Sequence, residues 1–360
     1  MRRTAALIIG GGPAGAAAAI GLARTGARPL LVERDRETRD ALCGGFLSWT
    51  TLDRLAALGI DAWRLGAHRI ELLAVLAGTR EAMAALPAPA AGLSRRALDV
   101  ALLDRALAAG AGVERGLAVR TLDDGLARFG DGGEMRPTAT ILATGKHDLR
   151  GHPRPRESDN PSIGLRWRLG ASEALSRYAA GRIELHLFRR GYGGLVLQED
   201  GGANFCVTVR CSRLEEAGGD PARLLADLAR EAPALALRLD AAASIGPVQA
   251  VANIPYGWRA SGTQSGLYRI GDQAGAIPSL AGEGIGIALA SGLAAARAVA
   301  CGESARRYQA AMAARLRPAF AVAGVMRAAA DRVAAAPWLL TAAGRIPQAL
   351  TVATRLTRLR

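Results

Sequence analysis

The stretch TAALIIGGGPAG, residues 4–15, decides the fold class of this protein. Thr4 to Ile9 is a short apolar run that predicts a strand, and the glycines after it predict a tight turn. Ala16 to Arg24 is rich in alanine and predicts a helix, and Pro29 to Glu33 predicts a second strand. These residues therefore predict a β-α-β unit.

The glycines in this turn have the spacing G-x-G-x-x-G, with Pro13 and Ala14 between the last two. Gly10 permits the tight turn, Gly12 lets the backbone approach a pyrophosphate, and Gly15 lets the helix pack closely on the strand. The helix N-terminus then faces the negative charge. Glu33 at the end of the second strand can accept hydrogen bonds from ribose hydroxyls, which favours FAD or NAD over NADP.

A second glycine-rich region lies near the other end of the chain. GDQAG, residues 271–275, follows a predicted strand, and AGEGIG, residues 281–286, opens a predicted helix that extends to Ala300. Taken alone, this pattern is also typical of an ordinary loop between a strand and a helix that binds no ligand.

The two regions together resemble FAD-dependent monooxygenases of the para-hydroxybenzoate hydroxylase type and their relatives, the geranylgeranyl reductases. The resemblance implies that the cofactor is FAD and that Gly271 and Asp272 bind its ribityl chain. It also implies that residues 282–285 point the positive end of a helix at the flavin edge, where it stabilises the negative charge of reduced flavin.

Three further segments are similar to this superfamily. LSRRALD, residues 93–99, resembles a helix start that brings Arg95 to the cofactor, although a capped helix with a solvated arginine has the same pattern. Cys43-Gly44-Gly45 resembles the segment that lines the flavin pocket in geranylgeranyl reductases, and a buried structural cysteine is the alternative to a chemical role for Cys43. Residues 183–209 resemble a substrate-domain sheet in which His186 and Tyr192 could face the flavin, with cross-strand packing favoured for His186.

These motifs give the predicted site in full. Cys43, His186 and Tyr192 are the catalytic candidates, and no metal site is expected. The residues predicted to contact the cofactor are Gly10, Gly12, Pro13, Ala14, Gly15, Glu33, Arg34, Cys43, Gly44, Gly45, Arg95, Val119, Thr144, Gly145, Gly271, Asp272, Gly282, Glu283, Gly284 and Ile285.

The predicted fold class is α/β, with a Rossmann-type, GR2-like FAD-binding domain, an interleaved mixed β-sheet substrate domain and a C-terminal helical tail. Nucleotide-binding patterns occur near both ends of the chain with β patterns between them. The sequence therefore predicts an FAD-binding domain from residues 1–70, 94–160 and 255–305. The substrate domain is predicted from residues 71–93 and 161–254, and the helical tail from 306–360.

Composition excludes several classes of protein. The net charge is +14, but no basic run is interleaved with aromatic residues and no zinc spacing occurs, so nucleic acid is not an expected partner. The four cysteines form no C-x-x-C pair, which favours a reduced cytoplasmic protein without disulfides. No apolar run reaches the roughly 18 residues that a bilayer span needs.

The tail from residue 305 to 360 is apolar and basic, with ten arginines and one acid, Asp331. Two interpretations remain open. An amphipathic basic tail lies on an anionic membrane face and gives the protein a peripheral location at the inner membrane surface. Alternatively, the tail is a pair of helices that pack on the FAD-binding domain.

Two departures from the family pattern bear on the reaction. The Asp-Gly motif that monooxygenases use for FAD and NAD(P)H is replaced by ATGKHD, residues 143–148, so NADH or NADPH as the electron donor is left open. The halogenase signature G-W-x-W-x-I-P is absent, since Gly257-Trp258-Arg259-Ala260 is only a fragment of it, and chlorination is therefore disfavoured.

The leading hypothesis is a monooxygenase that hydroxylates a bulky phenolic, polyketide or lipid-like substrate through a C4a-hydroperoxyflavin. An alternative is a flavin-dependent reductase of isoprenoid C=C bonds, which the Cys43-Gly44-Gly45 segment favours. A third hypothesis, from another class, is a non-catalytic flavin-binding protein at a membrane surface.

Overall fold

The computed structural model describes residues 6–155, 159–335, 338–344 and 347–359. The strands and helices of the first half are β1 (Ala6–Ile9), α1 (Pro13–Ala23), β2 (Leu30–Glu33), β3 (Phe46–Leu47), α2 (Trp49–Leu58), β4 (His68–Ala77), β5 (Arg80–Gly92), α3 (Arg95–Ala108), β6 (Gly112–Arg115), β7 (Val119–Asp123), β8 (Leu126–Phe129), β9 (Glu134–Met135), β10 (Ala139–Leu142) and β11 (Ser162–Leu169). Those of the second half are α4 (Glu173–Ala179), β12 (Gly181–Phe188), β13 (Gly191–Leu197), β14 (Ala203–Arg210), α5 (Cys211–Glu216), α6 (Pro221–Glu231), α7 (Pro233–Ala241), β15 (Gln249–Ala252), β16 (Leu267–Arg269), α8 (Gly284–Ala300), α9 (Ala305–Ala335), α10 (Trp338–Ala343) and α11 (Pro347–Leu356).

Five parallel strands form the sheet of the nucleotide-binding region, in the order β16-β10-β1-β2-β6. Side chains of β1 alternate between the two faces of this sheet, as the period of a strand requires. Ala6 and Ile8 belong to the core shared with α1, α3 and α8, whereas Leu7 and Ile9 belong to the core on the other face. Both faces are covered at the centre of the sheet, which is why β1 and β10 are almost purely apolar, whereas the edge strand β6 is polar and exposed.

The second face of this sheet is covered by a small antiparallel sheet, β7-β8-β9. Leu122, Ala127 and Phe129 of that sheet pack against Leu7 and Leu142. The resulting order of layers, helices, parallel sheet and small antiparallel sheet, is a Rossmann-type fold. The predicted fold class is confirmed.

Helices α1 and α8 lie in close contact because both present small residues to each other. A Cβ atom added at Gly292 of α8 would lie 2.3 Å from the carbonyl oxygen of Ala14, and one added at Gly21 would lie 2.8 Å from Cβ of Ala296. Since the two glycine-rich loops immediately precede these helices, the packing brings the two loops together.

The larger sheet has eight strands in the order β15-β11-β14-β13-β12-β4-β5-β3, with only β12 and β4 parallel. One face packs on α4, α6 and α7 through Phe188, Phe205 and Leu228. The other face is directed toward the nucleotide-binding region. Strand β3 and the first residues of β4 belong to this sheet, although they fall in the segment predicted for the FAD-binding domain, residues 1–70.

The C-terminal helices pack on both parts of the molecule. Tyr308, Leu316 and Phe320 of α9 are buried in the main core of the nucleotide-binding region, and so is Leu359 near the chain end. Helices α10 and α11 lie against β5 of the large sheet. The alternative of helices that pack on the FAD-binding domain thus describes α9 but not the whole tail. In the part of the chain that the structure describes, no helix is long and apolar enough to span a membrane.

Three predicted elements differ from the observed ones. The apolar pattern of residues 113–122 predicts one strand, but these residues are divided between β6 and β7, which belong to different sheets. The pattern of residues 221–239 predicts one helix, which is interrupted at Ala232 because Pro233 starts α7. Residues 163–210 have a β pattern, but the region also contains α4. Pro337, where the sequence predicts a helix break, and the first residues of the strand predicted from Thr4 lie outside the described residues.

Candidate functional site

Two adjoining cavities lie at the carboxyl edge of the parallel sheet, where α/β folds bind ligands. The outer cavity, about 680 Å³, is lined by the residues that follow β1 and β2. The inner cavity, about 270 Å³, extends from there to the large sheet. The two cavities are continuous, since they share the lining residues Gly12, Leu42, Arg95, Ala143, Gly145, Lys146 and Asp272.

The two glycine-rich loops meet at this cleft. A Cβ atom added at Gly271 would lie 3.0 Å from Cβ of Ala14, and the N–H of Gly271 donates to Ser291 Oγ at 2.8 Å. Gly271 has φ of +58°, a conformation that favours glycine. Ala14 and Gly271, 257 positions apart in sequence, are therefore direct neighbours.

The first loop leaves an open concave surface in front of α1. Gly10 has φ of +109°, and a Cβ atom there would lie 2.5 Å from the carbonyl oxygen of Ala143. One at Gly15 would lie 2.0 Å from the carbonyl oxygen of Gly10. At Gly12 the nearest atom is Arg95 Nη2, at 3.4 Å, so this glycine faces the cleft. The N-terminus of α1 is thus free to approach a phosphate.

Glu33 lines the outer cavity at the end of β2. Its Oε2 accepts a hydrogen bond from the N–H of Gly11 at 2.6 Å, and its Oε1 accepts one from the N–H of Asp35 at 3.0 Å. The first bond joins the carboxylate directly to the glycine loop. A carboxylate held in this way has lone pairs left for the hydroxyls of a ribose.

Arg95 lies at the junction of the two cavities and is held by Asp99 one turn later on α3. The Nη2–Oδ2 distance is 2.7 Å, and the exposed fractions of the two side chains are 16% and 8%. Burial acts to lower the pKa of Arg95, but the charge and hydrogen bonds of Asp99 outweigh it and the pKa is raised. Arg95 is therefore a fixed cation in the cleft.

The other predicted cofactor residues divide between the cavities. Arg34, Val119 and Thr144 line the outer one. Those that line the inner one are Pro13, Ala14, Cys43, Gly44, Gly45, Gly282, Gly284 and Ile285. Gly15 and Glu283 line neither cavity. Gly15 is a packing position, and Glu283 lies fully buried behind the second loop.

Residues 3–151 match the family described as FAD binding domain. Residues 3–151 are therefore similar to an FAD-binding domain. This segment contains the first glycine loop, Glu33 and Arg95, and the expected resemblance is confirmed at the level of FAD binding. A search of curated proteins gave no match.

Solved structures with the same fold include two kinds of flavoenzyme. The flavin-dependent brominase Bmp2 is 18% identical, with a TM-score of 0.80 over 99% of this chain and 93% of that one. The halogenase PltM is 16% identical, with a TM-score of 0.73 over 89% and 75%. PqsL, a probable FAD-dependent monooxygenase from Pseudomonas aeruginosa, is 19% identical, with a TM-score of 0.70 over 93% and 96%.

The cleft of the FAD-binding domain fits the elongated shape of FAD. The glycine loop, Glu33 and the N-terminus of α1 surround the outer cavity, which suits the adenosine and pyrophosphate. Asp272 lines both cavities, where a ribityl chain would pass, and the apolar inner cavity suits the isoalloxazine ring. The two loops together thus form one continuous cradle.

Cys43 lies in the wall of the inner cavity and is partly buried. The side-chain amide of Asn204 donates to the carbonyl oxygens of Cys43 and Gly44, both at 2.9 Å, so the segment is fixed to β14. Cys206 also lines the cavity, and burial raises the pKa of its thiol to about 12. At neutral pH the Cys206 thiol is protonated and is no nucleophile.

His186 does not line the inner cavity, so it does not face the flavin and substrate as a catalytic candidate would, and the favoured alternative of packing within the sheet describes its position. It is fully buried on the opposite face of the sheet, stacked on Phe188 and edge-on to Phe205. Its Nε2 is 3.1 Å from Glu184 Oε2. The register explains this placement, because His186 pairs with Gly193 and not with Tyr192, and neighbours along a strand face opposite sides.

Tyr192 lines the inner cavity together with three hydroxyl residues that the sequence analysis missed, Thr208, Tyr256 and Ser279. Ser279 Oγ lies 2.8 Å from the Tyr192 hydroxyl, 3.0 Å from that of Thr208 and 3.4 Å from that of Tyr256. We call these four residues the hydroxyl cluster. The alternation of side chains along β14 could have indicated Thr208. Its neighbours Val207 and Val209 face the helices, so Thr208 faces the opposite side, toward the cavity.

The protonation of Tyr192 is a testable property of this cluster. Burial raises the pKa of Tyr192 to about 12, so the phenol stays neutral at physiological pH. Because the folded-state pKa exceeds the unfolded one, Tyr192 contributes stability that is present below about pH 10 and lost as pH rises toward 12. Alkaline titration followed by absorbance at 295 nm should give coincident curves for the wild type and Tyr192→Phe up to about pH 11, as expected for such a pKa. A phenol that titrates near pH 10 in the wild type alone contradicts this.

Proposed function

We propose that this protein is an FAD-dependent monooxygenase that hydroxylates a phenolic or related electron-rich substrate with an apolar body. The proposal is carried by one observation. The inner end of the cleft combines apolar side chains with the hydroxyl cluster. A phenol needs this combination, because its ring prefers apolar walls while its hydroxyl needs a hydrogen-bond partner.

The walls of the inner cavity support a reaction that must exclude water. Strands β4, β5, β12 and β13 contribute the aliphatic side chains Leu73, Leu86, Ile183, Leu185 and Val196. The N–H of Leu280 donates to Tyr192 Oη at 3.2 Å, and the Tyr192 hydroxyl shares a hydrogen bond with Ser279 Oγ at 2.8 Å. Ser279 is thereby oriented to exchange hydrogen bonds with a substrate hydroxyl. Bound FAD supplies the oxygen activation, and the side chains of the chain itself bind and orient the substrate.

The electron donor is part of the proposal. We propose NADH or NADPH, although ATGKHD stands where monooxygenases carry Asp-Gly. Lys146 of this segment lies at the junction of the cavities, and its Nζ donates to the carbonyl oxygen of Leu42 at 2.8 Å. The segment thus belongs to the cofactor cleft, and a separate reductase that delivers reduced flavin is the competing source of electrons.

Halogenation is the second candidate reaction, favoured by the brominase and halogenase among the structures with the same fold. Against it stands the missing halogenase signature, of which Gly257 and Trp258 are a remnant. Of the residues that the structure describes around the inner cavity, neither of these two is a lining residue. The isoprenoid reductase alternative gains no specific support from the comparisons.

One experiment separates the three reactions. The purified yellow protein is incubated with NADH or NADPH and a panel of phenols, with and without oxygen and with and without bromide. The proposal expects oxygen-dependent product that carries one added oxygen atom and forms equally without halide. A brominated product identifies a halogenase, a saturated product formed without oxygen identifies a reductase, and either outcome overturns the proposal.

Ser279→Ala should raise KM about tenfold, as expected for one lost hydrogen bond to substrate.

We also propose a peripheral contact between the C-terminal helices and an anionic membrane. The support is an exposed apolar set on α9 to α11, in which Val325 is 71% and Trp338 62% exposed, next to the exposed arginines Arg332 and Arg355. Flotation with vesicles of phosphatidylcholine and phosphatidylglycerol should recover the wild type, and Trp338→Ser should reduce its bound fraction. Trp63→Ser, an exposed tryptophan on another face, is the control. Equal flotation of both variants contradicts the contact.

A further inference from the structure

The last residues of the chain reach the second glycine loop from behind. Arg358 follows α11 and is buried, and its Nη1 donates to the carbonyl oxygen of Gly282 at 2.9 Å. Its Nη2 donates to the carbonyl oxygen of Ala281 at 2.7 Å. Nε donates to the carbonyl oxygen of Thr354 at 2.9 Å. One guanidinium therefore joins the chain end to the turn at the inner cavity.

Glu283 completes this arrangement. Its side chain is fully buried, and Oε2 lies 2.5 Å from Arg358 Nη1. Oε1 accepts from the N–H of Leu359 at 3.2 Å, and Oε2 accepts from Ser48 Oγ at 3.2 Å. A second arginine, Arg54, is 3.8 Å away. A buried carboxylate of this kind is tolerated because it is paired and hydrogen-bonded.

Arg358 lies directly at the cofactor cleft, and Glu283 lies behind it. Gly282 and Arg358 both line the inner cavity, as do Thr354 and Thr357 on the last turn of the chain. The guanidinium also stacks on the ring of Trp49, 5.2 Å from its centroid. The chain end is thus one wall of the inner cavity, and its position is set by a buried ion pair.

We propose that Arg358 is a positioning residue of the flavin site, which fixes the turn at Ala281 and Gly282 and, with Glu283, sets the reduction potential of the bound flavin. The inference rests on the proposed FAD cofactor. Reduced flavin carries more negative charge than oxidised flavin, so a nearby cation favours the reduced form and a nearby anion disfavours it.

Three variants test the proposal. Arg358→Gln leaves the negative charge of Glu283 less compensated, so the reduction potential of the flavin should become more negative. Glu283→Gln leaves the positive charge of Arg358 uncompensated, so the reduction potential should become more positive. The double variant should return toward the wild type, because the two single shifts have opposite signs and removing both charges leaves the net charge beside the flavin unchanged. Arg358→Gln should also weaken FAD binding about tenfold, the loss expected for hydrogen bonds to a charged group.

Arg355→Gln is the matched control, since Arg355 lies three residues before Arg358, in the last turn of α11, and is exposed. FAD affinity is measured by flavin fluorescence, potentials by dye-linked reduction and folding by thermal unfolding. A purely structural role of Arg358 predicts lower melting temperatures with unchanged potentials, and that result overturns the proposal. So do shifts of the same sign in both single variants. Arg358→Lys keeps the charge and should keep the wild-type potential, so it separates charge from folding.

The outcomes also separate this inference from the function on which it rests. FAD binding and oxygen-dependent turnover by the wild type test the proposed function alone. The order of the potentials tests Arg358 and Glu283 alone and needs no turnover. A wild type that takes up no FAD contradicts both.

Discussion

Gly12→Asp should weaken FAD binding about 1,000-fold while leaving the protein folded. Gly12 has an ordinary φ of −71°, and a side chain there would enter the cleft beside Arg95. A carboxylate about 4 Å from the pyrophosphate costs roughly 4 kcal/mol at an effective dielectric constant of 20, which corresponds to about 1,000-fold in affinity. FAD affinity is measured by titration of the apoprotein with flavin fluorescence, and folding by circular dichroism.

Two control variants test whether the loss of FAD binding comes from the charge at residue 12. Gly12→Ala adds only a methyl group, 3.4 Å from Arg95 Nη2, and should weaken binding much less. Gly324→Asp places the same charge on α9, where no atom lies within 4 Å of the added Cβ, and should leave affinity unchanged. Retention of FAD by Gly12→Asp would show that the first glycine loop does not hold the cofactor.

Arg95→Met should destabilise the protein by about 3 kcal/mol, because it leaves Asp99 buried without its partner. Burial already raises the pKa of Asp99, against the lowering effect of Arg95. The folded variant should therefore take up a proton at Asp99 more readily than the unfolded chain. Since stability then rises as pH falls, the loss should be smaller at pH 5 than at pH 8. Urea unfolding of the wild type and the variant at the two pH values measures this loss of stability.

A double variant distinguishes the two roles of Arg95. Arg95→Met with Asp99→Leu removes both buried charges and should recover most of the stability. It should not recover FAD affinity if Arg95, at the junction of the cavities, also holds the cofactor. Full recovery of both quantities would assign Arg95 a purely structural role.

Local sequence patterns were sufficient to predict those parts of the site that are built from a short stretch of backbone. The spacing of Gly10, Gly12 and Gly15 and the position of Glu33 predicted the nucleotide end of the cleft, because a turn, a helix start and a strand end are all local features. The pattern at 271–286 predicted the second loop for the same reason. Strand pairing is not local, so the resemblance that made His186 a candidate does not fix the side of the sheet on which it lies, and the structure places it on the face opposite Tyr192.

The amino-acid sequence by itself determined the fold class, the FAD-binding domain and the two loops of the cleft, since strand period and glycine conformation act over a few residues. Only the tertiary structure decided what those loops face. The hydroxyl cluster draws Tyr192, Thr208 and Ser279 from distant segments, and Arg358 reaches Glu283 across 75 positions of sequence. Such contacts arise because small residues let α1 and α8 approach and because the C-terminal helices pack on the same core, which no short stretch of sequence encodes.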